Sequence, residues 1–558
     1  MRKFYTGLGA LFLCAAIVTG GFVPRAEADD YHNRVLSDPI WMPSDVLLDN
    51  ENLPVAVSDD MFSEDKMGFT EQIGTLQKFT NNVDGYSIMI PLQMKVDMSL
   101  ADVCVTLSDS HRQIRIFKET FSTSAERYSY LEYSNRFALN TTDHKIELDQ
   151  SYTLGDKTYH VLQWSRKALS NIPNDKCFYA CVDVTLGARV YTFFFTSDIA
   201  FSASGGYMDI VNSLVTFDPS VPTANAYNKG YQKSSTAHFN EVARTTYNTL
   251  LSDDAEFKMG MFPPERYGGF ARMEEFEKML DYKFPIFLHY TEVPDRNGKT
   301  AMKYTTGINT YINSIEENFK YARKTQRAIE LTLQTPLSPS GSGNMIYEIL
   351  DGKHNQFITQ YAKMVARNSD VAVFFRPFNE MNCDWCNYSA FQLSRDPQIY
   401  VALYRFLYQK FKEAGCKNVI WVFNPNEVSF PKYKWNSESL YYPGDEYVDV
   451  YGITGYNTGT YYDAEIWRSF DEIYKPIYDR AERINKKPIM ITEYSCSSMG
   501  GDKVLWIEEM FKSLKNYDKI KLGIWWHAAD YDGENIARPY FMDTPDGTLE
   551  VFKNNLAK

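Results

Sequence analysis

VAVFFRPFNEMNCDW (371–385) is the stretch that decides the fold. It opens with an unbroken apolar run, Val371, Ala372, Val373, Phe374 and Phe375, too short for a helix and rich in strand formers. Such a run reads as a strand buried on both faces, as in a parallel sheet covered by helices. Pro377 stops the ladder, and the chain leaves the sheet carrying Arg376, Asn379, Glu380, Asn382 and Trp385. A carboxylate among amides and an aromatic, just past the C-terminal end of a buried strand, is where barrel enzymes keep their chemistry.

Working outward, residues 239–558 repeat that texture. Short apolar runs occur at 257–262, 284–290, 328–333, 371–378, 418–426, 448–457, 487–494 and 521–528. Helix-like stretches lie between many of them, at 272–280, 307–325, 344–367, 397–414, 470–485 and 502–515. Eight strands alternating with helices are the arithmetic of a (β/α)8 TIM barrel. A doubly wound open sheet would want a glycine-rich phosphate turn after its first strand, and Phe262-Pro263-Pro264-Glu265 is none.

Upstream, residues 1–28 read as a signal peptide. Arg2 and Lys3 start it, Leu8 to Val18 form its apolar core, and Ala26-Glu27-Ala28 is the small-x-small cleavage site. The protein is therefore expected to be secreted or otherwise extracytoplasmic, and no later segment is apolar for long enough to span a membrane. Residues 29–65 form an acidic tether with scattered prolines. Residues 66–218 carry strand-like runs at 86–90, 102–107, 113–117, 157–164, 177–186 and 189–197, a hairpin turn at 186–189, and a helix-like stretch at 207–217. This reads as a smaller α+β module built on an antiparallel sheet. Residues 219–238, rich in Pro, Ser, Thr, Asn and Ala, form a linker. A chain starting near Ser235 is accordingly expected to fold alone.

The formal charge of −13 argues against nucleic acid as a partner. Aromatics reach 15%, enough for large cores and for platforms that stack on flat apolar ligand faces. Seven cysteines follow the leader, too few for disulfides to be the main scaffold. Cys383 and Cys386 are spaced like a redox or zinc pair, but a second pair or two histidines at ligand spacing are missing, so no metal is expected.

The chemistry rests on two carboxyl groups. A retaining glycosidase sets them about 5–5.5 Å apart, one exchanging protons and the other attacking the anomeric carbon. Glu380 ends the fourth apolar run of the barrel, and Glu493, in IMITEY (489–494), ends the seventh. Two strand ends facing one barrel mouth supply such a pair.

The motifs RPFNEMNCDW (376–385), VIWVFNPN (419–426), YPGDEYVDVYGITGYN (442–457) and ITEY (491–494), in that order, resemble glycoside hydrolase family 26, the β-mannanase family. The resemblance covers about residues 239–558. It implies a (β/α)8 barrel that hydrolyses β-glycosidic bonds with retention and without a cofactor. It gives Glu380 the acid/base role and Glu493 that of nucleophile. It also makes Trp385 an aromatic of the substrate cleft and Tyr456 the tyrosine that hydrogen-bonds the nucleophile. Trp526 offers a face for sugar stacking, whereas Trp525 points into the barrel wall by strand alternation. His289 ends the second strand within reach of a sugar hydroxyl, Asn457, beside Tyr456, is expected to bind substrate, and Arg376 braces the loop of Glu380. The family usually has His before the acid/base and Gly after the following Asn; here those positions are Asn379 and Cys383. Asn379 sits where the sugar 2-hydroxyl is expected, so the change bears on the choice of sugar.

These readings point to a secreted, retaining endo-β-glycosidase acting on a polysaccharide, with β-1,4-mannan first. Xylan, mixed-linkage glucan, a bacterial exopolysaccharide and a non-catalytic glycan-binding barrel are the alternatives. Cell-surface or glycan docking is left open for the N-terminal module.

Overall fold

The computed structural model describes residues 67–201, 206–221, 233–295, 307–336 and 342–556. The expected leader and tether, and linker residues 222–232, lie outside the described residues. All eight apolar runs of the C-terminal region become parallel strands: Lys258–Phe262, Ile286–Glu292, Ala328–Gln334, Val373–Pro377, Val419–Phe423, Val450–Asn457, Ile489–Cys496 and Ile520–Trp526. They close into a barrel, the first pairing with the last through Met261 and Trp525. Strand alternation divides their side chains. Ile286, Leu288, Tyr290, Ala372, Phe374, Ile420, Val422, Met490, Leu522, Ile524 and Trp526 share one core. Phe287 and Phe375 instead pack on ring neighbours from the helices, Phe270 and Phe411.

The helix Glu241–Leu251 starts at Asn240, whose side chain accepts the N–H of Ala243. Its Ala243, Tyr247, Leu250 and Leu251 join the same core as the strand residues. The expected helix over 344–367 is two helices, Met345–Leu350 and Asn355–Arg367; between them Gly352 takes a φ of +83° that an L side chain resists. Between the fifth and sixth strands no α-helix forms. Residues 424–449 there hold only the short 3₁₀ turns Lys434–Asn436 and Glu438–Tyr441.

The chain divides into two compact units, and the division is not a single cut in a linker. One unit holds Gln232–Ser429 and Tyr441–Lys558; the other holds the N-terminal module together with Phe430–Leu440. The expected catalytic domain 239–558 is therefore interrupted. The reason is side-chain chemistry: Tyr433 and Trp435 are buried, and both pack on residues of the N-terminal module.

That module has two antiparallel sheets. One runs Gly68–Ile73, Leu76–Asn81, Tyr86–Pro91 and Val215–Thr216. The other has seven strands, in the order Lys95–Asp97, Val105–Ser108, Arg112–Thr120, Arg189–Ser197, Phe178–Leu186, Lys157–Arg166 and His144–Leu154. Phe79, Ile88 and Ile90 of the first sheet and Ile114, Ile116, Val182 and Phe193 of the second belong to one core. The expected hairpin is present, with Leu186 opposite Arg189. The expected helix over 207–217 is only Met208–Asn212, followed by the edge strand Val215–Thr216. A helix absent from the sequence reading, Ser124–Ser134, opens with a capping box between Thr123 and Glu126.

Residues 430–440 are held against this helix and the third strand of the larger sheet. The Trp435 indole N–H donates to Ser134 Oγ at 2.9 Å, and the Lys434 N–H donates to Glu119 Oε1 at 2.7 Å. Tyr433 meets Tyr130 edge-on, ring centroids 4.8 Å apart. Among the described residues, no helix is long and apolar enough to cross a membrane.

Candidate active site

Glu493 comes from the seventh strand, next to an irregularity in its pairing with the sixth. The Tyr456 hydroxyl donates to its Oε2 at 2.7 Å, the contact that the resemblance implied. Arg376 Nη1 lies 2.6 Å from its Oε1, with both groups buried. Tyr290 also hydrogen-bonds Glu493, and burial together with the Glu493 charge raises the phenol's pKa, which keeps it a donor. Trp526 Nε1 donates to the Tyr290 hydroxyl at 3.2 Å. Three strands thus converge on one carboxylate, each sending an inward-facing residue from its C-terminal half, and Trp526 of a fourth supports Tyr290.

Arg376 does more than brace a loop. Fully buried, it has Nε 2.9 Å from Glu330 Oε1, and its Nη1 donates to Asn424 Oδ1 at 3.0 Å. Burial raises the Glu330 carboxyl, Arg376 pulls it down and the Glu493 charge raises it, with the net at about 8. A carboxyl held toward its neutral form leaves the guanidinium charge to Glu493.

Glu380 sits past the end of the fourth strand with φ +58°, and Phe378 has φ +53°. For residues with a side chain that region costs on the order of 1–2 kcal/mol each, and it persists where the surroundings over-determine it. The Glu380 N–H donates to Asn424 O at 2.8 Å, so Asn424 touches both the acid/base backbone and the Arg376 that faces Glu493. On the side chain, Trp385 Nε1 donates to Oε2 at 3.3 Å and Asn426 Nδ2 to Oε1 at 3.2 Å. Asn382 locks the neighbouring loop: its amide accepts the N–H of Asn426 at 2.9 Å and donates to Asn426 O at 3.1 Å. Cys383 and Cys386 are buried thiols, their Sγ atoms 3.9 Å from Val428 O and 3.8 Å from Asn379 O.

Asn379 Oδ1 accepts from Gln334 Nε2 at 2.8 Å. Its oxygen is engaged, so what it has to offer a sugar hydroxyl is its NH₂ group. Trp526 faces inward as expected, stacked on Phe262 and edge-on to Tyr456, while Trp525 packs outward on Phe552.

Two expected substrate contacts stand elsewhere. His289 shares its strand face with Phe287, and its Nε2 lies 3.1 Å from Asn318 Nδ2 on the helix Ile308–Thr325. Strand alternation gives the mouth Tyr290 instead. Asn457 is fully buried; its Oδ1 accepts from the N–H groups of Gly459 and Arg468, and its Nδ2 lies 3.4 Å from Cys496 Sγ. It braces loop backbone. Tyr290, Glu330, Gln334, Asn424 and Asn426 were not singled out from the sequence. Asn424 and Asn426 lay inside a quoted motif; Glu330 was disguised as one polar residue in an apolar strand.

Residues 316–484 match the sequence profile described as Glycosyl hydrolase family 26. Endoglucanase H of Acetivibrio thermocellus is 35% identical over 185 residues, which is 32% of this chain and 20% of that protein. A mannan endo-1,4-β-mannosidase of Bacillus subtilis is 28% identical over 152 residues, 24% of this chain and 41% of that one. The chain thus spans less than half the length of either relative. The catalytic domain of the Bacillus sp. JAMB-750 GH26 endo-β-1,4-mannanase overlays 59% of this chain and 93% of its own, at a TM-score of 0.42 and 18% identity. The matched profile lies across the strands and loops that deliver Glu380 and Tyr456, so this part of the barrel is similar to glycosyl hydrolase family 26.

Proposed function

We propose that this chain is a secreted, retaining endo-β-glycosidase whose first substrate is β-1,4-mannan. The observation that carries the proposal is the unequal treatment of two carboxyl groups. Glu493 is gripped by Tyr456, Arg376 and Tyr290, as an oriented nucleophile requires. Glu380 is presented by a strained loop and held by the neutral donors Trp385 and Asn426. In the first step a Glu493 oxygen bonds the anomeric carbon as the bond to the leaving oxygen breaks, and the Glu380 proton passes to that oxygen. In the second, Glu380 takes a proton from water, which attacks the anomeric carbon and releases Glu493. The leader-like residues 1–28 support secretion.

The mannosidase among the relatives supports reading mannan as the first substrate. A second reading, another β-glycan, is favoured by Asn379, which stands where the family usually has His and whose oxygen is held by Gln334. Mannose carries an axial 2-hydroxyl, and glucose and xylose an equatorial one, so a fixed amide donor there discriminates between them.

Glu493→Gln is expected to abolish turnover. Glu380→Ala is expected to lower kcat/KM on polysaccharide by about 10²–10⁴-fold, and on aryl glycosides with good leaving groups far less, since only the former need proton donation. Equal losses on both substrate kinds would remove Glu380 from the acid/base role. Turnover on mannan, xylan and glucan by wild type and Asn379→His separates the two substrate readings: high wild-type mannanase activity lost on substitution supports mannan.

A further inference from the structure

The segment Phe430–Leu440 is flanked on both sides by residues that bond the loop carrying Glu380. Before it, Asn424 and Asn426 bond Glu380 itself, and Ser429 Oγ accepts from Asn382 Nδ2 at 3.2 Å. After it, the Tyr441 hydroxyl accepts the N–H of Ala390 at 3.1 Å. Asn382 and Ala390 both belong to the loop between the fourth strand and the helix Pro397–Glu413. Between those two anchors the chain belongs to the N-terminal unit, where Trp435, Tyr433 and Lys434 are fixed by Ser134, Tyr130 and Glu119. The segment is internally tied as well: Asn436 Nδ2 donates to Pro431 O at 3.0 Å, and Leu440 N to Ser437 O at 3.0 Å. It occupies the place in sequence where a (β/α)8 barrel would put its fifth helix.

We infer that the N-terminal unit positions the acid/base: by holding Phe430–Leu440 through Trp435, it fixes both flanks of the loop that keeps Glu380 in its left-handed conformation. A strained residue needs its surroundings to over-determine it, and a general acid misplaced by about 1 Å costs on the order of 10²-fold in rate. Glu493 draws its own contacts from strands four, two and six, and only Arg376 among them meets the flank of the segment, through Asn424. Releasing the segment therefore acts on proton donation more than on nucleophilic attack. Trp435 is a positioning residue, and the inference rests on the glycosidase reading for its kinetic form only.

The test uses the full-length protein carrying Trp435→Ala, Trp435→Phe or Ser134→Ala, with Phe193→Leu, in the core of the N-terminal unit away from the segment, as control. Trp435→Ala is expected to lower kcat/KM about tenfold on polysaccharide and on aryl glycosides with poor leaving groups, and less than about twofold on dinitrophenyl glycosides. Trp435→Phe, which keeps an apolar ring, should restore most of the loss. Amide hydrogen exchange should rise about tenfold across residues 378–396 and stay unchanged in Lys258–Phe262. Equal losses on all substrates, no loss, or the same selectivity in Phe193→Leu would overturn the inference. If Trp435→Ala does not fold, Tyr433→Ala, which removes the ring that meets Tyr130, reads the same ratio, while Ser134→Ala, like Trp435→Phe, removes only the indole hydrogen bond and should show little of it. A wild type that hydrolyses no glycoside would sink the functional reading alone, because exchange in 378–396 still decides the coupling.

Discussion

Inside the barrel the Arg376 guanidinium contacts two carboxyl groups, Glu330 through Nε and Glu493 through Nη1. Burial, only partly offset by Arg376, raises Glu330 from its ordinary 4.5 to about 8, so the folded protein holds this proton more tightly than the unfolded chain does. The stability it contributes is fully present below about pH 4.5 and is lost as pH rises through about 8. Wild-type melting temperature should therefore carry a downward component between those values, and Glu330→Gln, which cannot ionise, should flatten it; an identical pH dependence in the two proteins would refute the assignment. None of this was legible in AIELTL, where a single Glu in a strand reads equally as a solvated edge residue. What decides its role is that Ala328 of the same strand joins the inward-facing core, and strand alternation carries Glu330 to the same face.

The second strand, Ile286–Glu292, shows how one element divides adjacent side chains between two tasks. Tyr290 reaches Glu493 and His289 reaches the helix Ile308–Thr325. Tyr290→Phe is expected to lower kcat by about tenfold with little change in KM, since it removes a donor from the reacting carboxylate and none from a distant sugar. His289→Ala should leave kcat within about twofold. The reverse pattern would put the imidazole back in the mouth. The eight barrel strands were legible because parallel strands buried on both faces read as unbroken apolar runs. That same lack of alternation hides which residue faces in, and it produced the misplacement of His289. In the N-terminal module the opposite difficulty applied: GFTEQI and HKIELDQSYTL are strands with mostly exposed or half-exposed residues, too polar to stand out.

At the scale of the molecule, the chain reads as two domains joined at 219–238, and the structure joins them a second time through Phe430–Leu440. FPKYKWNSESL looks like a polar surface loop, and only the company that Trp435 keeps shows otherwise. Stripping the barrel of its upstream residues would leave Tyr433 and Trp435 without the Tyr130 and Ser134 that they pack on, and losing a buried Trp alone typically costs about 3–5 kcal/mol. A chain beginning near Ser235 should accordingly be insoluble or weakly active, against the expectation from the linker's composition; soluble expression and turnover compared with the full chain would decide it. The same segment also imposes a schedule on synthesis. The N-terminal unit leaves the ribosome first, yet part of its interior is encoded about 200 residues later, beyond most of the barrel strands. Trp435 lies about 300 residues beyond its helix Ser124–Ser134, which at about 5–20 residues per second waits on the order of 15–60 s for it. During that interval Tyr130 and Ser134 face no partner from 430–440, and a helper that shields nascent apolar surface has its target there.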